Sequence, residues 1–168
     1  MTRFALRLPP HQARLVALAI SYPLSRPGSE IDPNTLSDYA HGLRELQPAL
    51  ETQLDTDSAT LELTPLQTVL LSTALSSVVS ELKMYSVFDT MSGDSRRPRS
   101  TARGFDERLR SLFPEVAGDA AYASQLAEDM TMLRRELPAG RAREKLEEER
   151  QAAETATNRR RWWRLWKR

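Results

Sequence analysis

The sequence predicts a mainly α domain, with an α+β variant in which two short strands form a small sheet. Three observations carry this. Apolar residues recur at helical spacing through most of the chain. A strand–proline–helix unit occurs twice, and the only strongly cationic aromatic stretch is held back for the last ten residues. A length of 168 residues with 40% apolar content suits one domain with a real core plus an extension. The pattern divides it into a helical globular domain over 1–137, a polar spacer helix over 138–158 and a tail over 159–168.

The repeated unit comes first. Phe4 to Leu15 aligns without gaps on Ala59 to Leu70, at an offset of 55 residues. Leu6, Leu8, Pro10, Gln12, Leu15, Ala19 and Ser21 match Leu61, Leu63, Pro65, Gln67, Leu70, Ala74 and Ser76. Each copy reads as an alternating strand, a proline at the first helical position and an apolar-periodic helix. Thr64 and Gln67 have capping-box spacing. A duplicated unit would pair its strands, bring Arg3 or Arg7 near Glu62 and need helices across one face, since two strands alone are marginal. The other reading is a common strand-to-helix junction that occurs twice by chance.

Between the copies, Asp32 and Pro33 open a helix with Leu36, Tyr39, Ala40, Leu43 and Leu46 on one face. Pro48 ends or kinks it, and Leu50 and Leu54 continue as a second short helix. From Arg26 to Asp57 the chain holds seven acids against two arginines, the acidic side of the body.

The central helix is predicted over Pro65–Phe88. Leu66, Leu70, Leu71, Ala74, Leu75, Val78, Val79 and Leu82 cover about half its circumference, wider than a surface helix needs. Thr68, Ser72, Thr73, Ser76, Ser77 and Ser80 fill the other half. That face is read as solvated, with homo-oligomer formation through this helix as the alternative. Residues 89–104 lack periodicity and form a loop carrying Arg96, Arg97, Arg99 and Arg103 beside Ser100 and Thr101. Those arginines could bind an anion or serve a phosphorylation site; a solvated loop is the plainer reading.

Phe105, Leu109, Leu112 and Phe113 define a further helix, stopped by Pro114. Tyr122, Leu126, Met130, Leu133 and Leu137 define the next, with Asp119 at its start and Arg134 and Arg135 in its last turn. After Pro138 and Gly140 the chain favours helix but offers only Leu146 and scattered alanines to a core.

Composition narrows the chemistry. Cysteine is absent, which excludes disulfides, zinc–thiolate sites and thiol nucleophiles. No glycine-rich phosphate loop, zinc-protease helix, nucleophile elbow or calcium loop occurs. Of the two histidines, His11 lies in a first helical turn and His41 lies off its apolar stripe, so both read as solvated. Adjacent acid pairs such as Asp106–Glu107 and Glu128–Asp129 point apart on a helix. No catalytic residue, cofactor or metal is expected, and the protein reads as a non-enzyme. Neither the Leu15–Ile20 run nor the uncharged Thr64–Ser80 stretch makes an export signal or a membrane span. A cytoplasmic protein, peripheral at the inner face of the membrane, is the expectation.

Charge points to the tail. Residues 1–137 carry 14 basic and 18 acidic side chains, whereas 138–168 carry 10 basic and 5 acidic. The last ten residues hold six positive charges, no acid and all three tryptophans. On a helix, steps of about 100° gather Trp162, Trp163, Leu165 and Trp166 on one arc. Arg160, Arg161, Arg164, Lys167 and Arg168 take the opposite arc, and Arg159 sits on the apolar side. An indole face backed by a cationic face suits an anionic bilayer surface. The leading expectation is therefore a non-catalytic adaptor or regulatory protein, with a body that binds a protein partner and a tail that attaches to an anionic membrane. A nucleic-acid-associated factor using the tail with the Arg96–Arg103 loop is the second reading. In the third, the tail is a protein-docking peptide or packs on its own domain.

Overall fold

Two strands, β1 (Phe4–Leu8) and β2 (Ala59–Leu63), pair antiparallel with Leu6 opposite Leu61. The computed structural model describes residues 2–24, 42–91, 103–117 and 119–166, with 85–91, 103, 120 and 158–166 described as backbone only. Among these residues the chain is mainly α, with six helices and this one small sheet.

The ladder sits symmetrically on the repeated sequence. Phe4 faces Leu63 and Leu8 faces Ala59, so exchanging every residue for its match 55 positions away returns the same pairs. Each strand then feeds a helix that opens at the matched proline: α1 (Pro10–Leu24) after β1, and the long central helix (Pro65–Met91) after β2. The first helical bonds also correspond. Ala13 N–H donates to the Pro9 carbonyl at 2.9 Å, and Thr68 N–H donates to the Thr64 carbonyl at 3.0 Å. Locally, the two units are related by a twofold axis between Leu6 and Leu61.

The symmetry breaks at the caps. Gln67 N–H donates to Thr64 Oγ1 at 3.2 Å while Thr64 N–H donates to Gln67 Oε1 at 2.9 Å, a complete capping box. The first copy has Pro9 where the second has Thr64, so it lacks the hydroxyl. Replacing Thr64 by alanine is expected to lower stability by about 1 kcal/mol, measured by urea unfolding, because a helix donor loses its acceptor. A change below about 0.3 kcal/mol would show that the box adds nothing beyond the proline start.

The strands show which face is inward. Leu8, Ala59, Leu61 and Leu63 are buried, Phe4 and Leu6 are half-buried, and Ala5, Arg7, Thr60 and Glu62 are exposed. Glu62 lies opposite Ala5 on the exposed face, diagonal to Arg3 and Arg7. On the outer side of β2, the Gln53 side-chain amide engages both main-chain groups of Thr60. Thr60 N–H donates to Gln53 Oε1 at 2.8 Å, and Gln53 Nε2 donates to the Thr60 carbonyl at 3.4 Å. Thr60 therefore faces away from β1. By the alternation of an antiparallel ladder, Ala5 and Arg7 direct their own N–H and C=O groups away from β2.

Between the units lies α2 (Leu46–Glu51), preceded by helical residues 42–44 and a break at Glu45. The expected role of Pro48 resolves as a kink rather than an end. Its ring lacks an N–H and crowds the carbonyl four residues back, at Arg44, so the helix breaks before the proline and resumes through it. Leu54 falls in the turns that follow, not in a helix. Gly42 marks a close crossing: a Cβ there would lie 2.8 Å from Leu70 Cδ1. The expected helix start at Asp32 and Pro33, with Leu36, Tyr39, Ala40 and His41, lies outside the described residues.

The central helix, α3 (Pro65–Met91), packs against α1, β2 and the two C-terminal helices. This corrects the reading of its hydroxyl face as solvated. Thr68 and Ser72 are buried, and Ser76 accepts a bond from Arg134 Nη1 at 2.7 Å. Their small side chains let neighbouring elements of the same chain approach, and hydroxyls such as Thr68 Oγ1 satisfy themselves on carbonyls four residues back. Leu66, Thr73, Ser80, Lys83 and Met84 stay exposed along the part whose side chains are described.

Helix α1 explains its unbroken apolar run. Leu15 to Ile20 are all buried, because α1 touches β1, α2, α3 and both following helices. The first of these, α4 (Arg103–Leu112), places Phe105 edge-on to Tyr22 at 5.1 Å between centroids. An ion pair from Arg108 to Glu51 ties α4 to α2. A 3₁₀ turn over Pro114–Ala117 leads to α5 (Ala120–Glu136), whose Asp119 cap accepts from Ala121 N–H at 2.8 Å. The chain breaks only at Leu137–Pro138 before α6 (Ala139–Trp166) begins, so Gly140 continues the helix rather than punctuating it.

Candidate functional site

The first two turns of α6 belong with the packed body. Ala142 is fully buried, Lys145 and Leu146 are partly covered, and this stretch lies on α3. Residues 147–157 are then exposed without exception. Two ion pairs run along the helix itself. Lys145 Nζ reaches Glu148 at 2.8 Å, and Arg150 Nε reaches Glu154 at 3.1 Å. The bond to Glu148, with that carboxylate's charge, holds the Lys145 ammonium above its ordinary range. Such pairs support a helix that has no core to lean on.

Beyond this exposed stretch the backbone stays helical through Trp166. From Leu146 to Trp162 the rise is roughly 24 Å at 1.5 Å per residue. The positions assigned to binding, Arg160, Arg161, Trp162, Trp163, Arg164, Leu165 and Trp166, therefore share one helical backbone; Lys167 and Arg168 lie outside the described residues. Of the loop arginines, Arg103 opens α4, while Arg96, Arg97 and Arg99 lie outside the described residues.

A polar cluster on the body brings together residues that the sequence left separate. His11 Nε2 lies 2.9 Å from Asp129 Oδ2, and its ring meets Phe113 edge-on at 5.8 Å. Nearby, burial pushes the Tyr122 hydroxyl up, and the charges of Glu115 and Asp129 add to this against Arg14. Both partners of the His11–Asp129 pair stand more than a third exposed, so the pair is a surface clasp between α1 and α5 of modest strength. Among the described residues no group of three or more histidine or acidic side chains gathers as a metal site.

No family model, curated protein or solved structure matches this chain. Among the described residues no helix is long and apolar enough to cross a membrane. The candidate site is thus the far end of α6, which the exposed stretch 147–157 separates along the helix from the buried Ala142.

Proposed function

We propose that this protein is a non-catalytic adaptor that attaches peripherally to an anionic membrane surface, at the cytoplasmic face, through the end of α6. One observation carries the reading. A single helix runs from a buried anchor at Ala142, through an exposed polar stretch, into the cationic tryptophan segment. A helix with an indole arc and a guanidinium arc can lie in the interface plane, with its apolar side among the acyl-chain ends and its charges among the headgroups. Two signals are needed for stable attachment, and the tail supplies both apolar area and about six units of charge at about 1 kcal/mol each. The spacer keeps this segment away from a body whose balance, 14 basic to 18 acidic side chains, would be repelled by an anionic surface.

Vesicle flotation with anionic phosphatidylglycerol tests the proposal. Full-length protein is expected to float with the vesicles, and a chain ending at Arg150 is expected to stay behind. That truncation removes no residue with a described buried side chain, so its melting temperature should stay within about 2 °C of the full chain. Removal of 139–168 strips Ala142 and Leu146 from α3 as well and should lower it by more. Tail-dependent binding to single-stranded nucleic acid, without vesicle binding and with a steep salt slope, would replace the membrane reading.

A further inference from the structure

We infer that the outer edge of β1 is a docking site for an extended acidic segment of a partner protein, which adds to the sheet as a third strand. This surface lies on the body and does not depend on where the tail binds.

The sheet itself shows what that edge accepts. The local twofold that maps β1 on β2 makes Ala5 the counterpart of Thr60. At Thr60 both outward main-chain groups are engaged by one amide, that of Gln53. At Ala5 no described residue bonds to the corresponding N–H and C=O. An exposed strand edge with its donors and acceptors open is a template for main-chain pairing, and an amide is the group that fits.

A second observation concerns the inward face. Leu61 is 2% exposed, whereas its counterpart Leu6 is only half-buried, as is Phe4. A strand laid along β1 would direct alternate apolar side chains over Leu6 and Phe4 and complete that layer. Its other side chains would share the exposed face with Arg3, Ala5 and Arg7. Along the paired edge of β1 the chain itself sets an acid on this exposed face, Glu62, opposite Ala5 and diagonal to both arginines. The same charge pattern selects an alternating apolar–acidic segment from outside. A second copy is disfavoured: antiparallel β1 pairing about Ala5 sets Arg3 against Arg7, and parallel pairing also brings like charges together.

The probe is a capped heptapeptide alternating valine and glutamate, with its valine–lysine counterpart as control, added to the full chain and followed by amide NMR. The glutamate peptide should shift the Ala5 and Arg7 amides and slow their hydrogen exchange, leaving the Leu6 and Leu61 ladder amides in place. The lysine peptide should bind at least about tenfold more weakly. Ala5→Pro removes an outward N–H and no ladder bond, so it should keep the fold and abolish binding. The double variant Arg3→Glu with Arg7→Glu should reverse the preference in favour of the lysine peptide, which guards against a misfolded proline variant. Absence of binding, equal binding of both peptides, or shifts elsewhere on the body would overturn the proposal. So would an Ala5 amide protected without peptide at every dilution, which means the chain covers its own edge. Protection that appears only with rising protein concentration would assign the edge to a second copy instead.

Discussion

Replacement of Trp162, Trp163 and Trp166 by alanine is expected to abolish flotation with anionic vesicles while all six tail charges remain. Each indole carries on the order of 1.5 kcal/mol or more of interfacial burial, so the loss amounts to roughly three orders of magnitude in partitioning. What persists is electrostatic attraction, which should vanish as salt shortens the Debye length to about 3 Å at 1 M. Wild-type binding should show the opposite profile. Its tryptophan emission should shift to the blue on vesicle addition, and part of the binding should survive high salt, because indole burial is not screened. A triple variant that floats like the wild type would show that charge alone attaches the protein. The variant's own unfolding should be unchanged, since Ala142 is the last described buried side chain on α6 and an exposed stretch follows it.

Phe105→Ala should give the largest loss of stability of any single substitution considered. Its ring is fully buried and meets Tyr22 edge-on, and Tyr22 in turn donates to Glu81 at 3.2 Å. The ring therefore joins α4 to α1 and sits beside the α1–α3 contact. Truncation leaves a cavity that a helix tied down by the Arg108–Glu51 pair can only partly collapse. The expected cost is about 3–5 kcal/mol, or a fall in melting temperature of roughly 6–20 °C for a chain of this size. Leu66→Ala provides the contrast. It is 39% exposed on the uncovered strip of α3, and its loss should stay within about 1 kcal/mol. Comparable losses from the two would mean that the strip is covered in solution by something outside the described residues.

Local rules were legible wherever one neighbour along the chain decides the outcome. Thr64 and Gln67 are three residues apart and cap each other whatever surrounds them. Asp119 does the same for α5. The matched prolines start their helices because a missing N–H costs nothing at that position. That the two strands pair was also readable, since each alternates and two copies of one unit can bury their apolar faces together. The register itself was not, because every antiparallel register treats the two copies alike.

Other features depend on which distant surfaces meet. The Thr68 and Ser72 hydroxyls look identical in sequence to those of Thr73 and Ser80, yet the first two are buried and the others are not. The difference lies in the direction from which neighbouring elements approach α3, and spacing along a single helix carries no such information. Likewise Gln53 reads as an ordinary polar residue of a turn; only the return of the chain into β2 sets its amide against Thr60.

The sequence by itself determined the helical class, the caps at Thr64 and Asp119, the existence of the two strands and the polarity of the tail, because each follows from periodicity or from contacts within a few residues. The tertiary structure alone decided, among the described residues, which small side chains are enclosed, that the start of α6 packs on α3 and that Gln53 engages the outer edge of β2. Those outcomes come from excluded volume and solvent access, quantities that exist only once segments far apart in the chain have packed together.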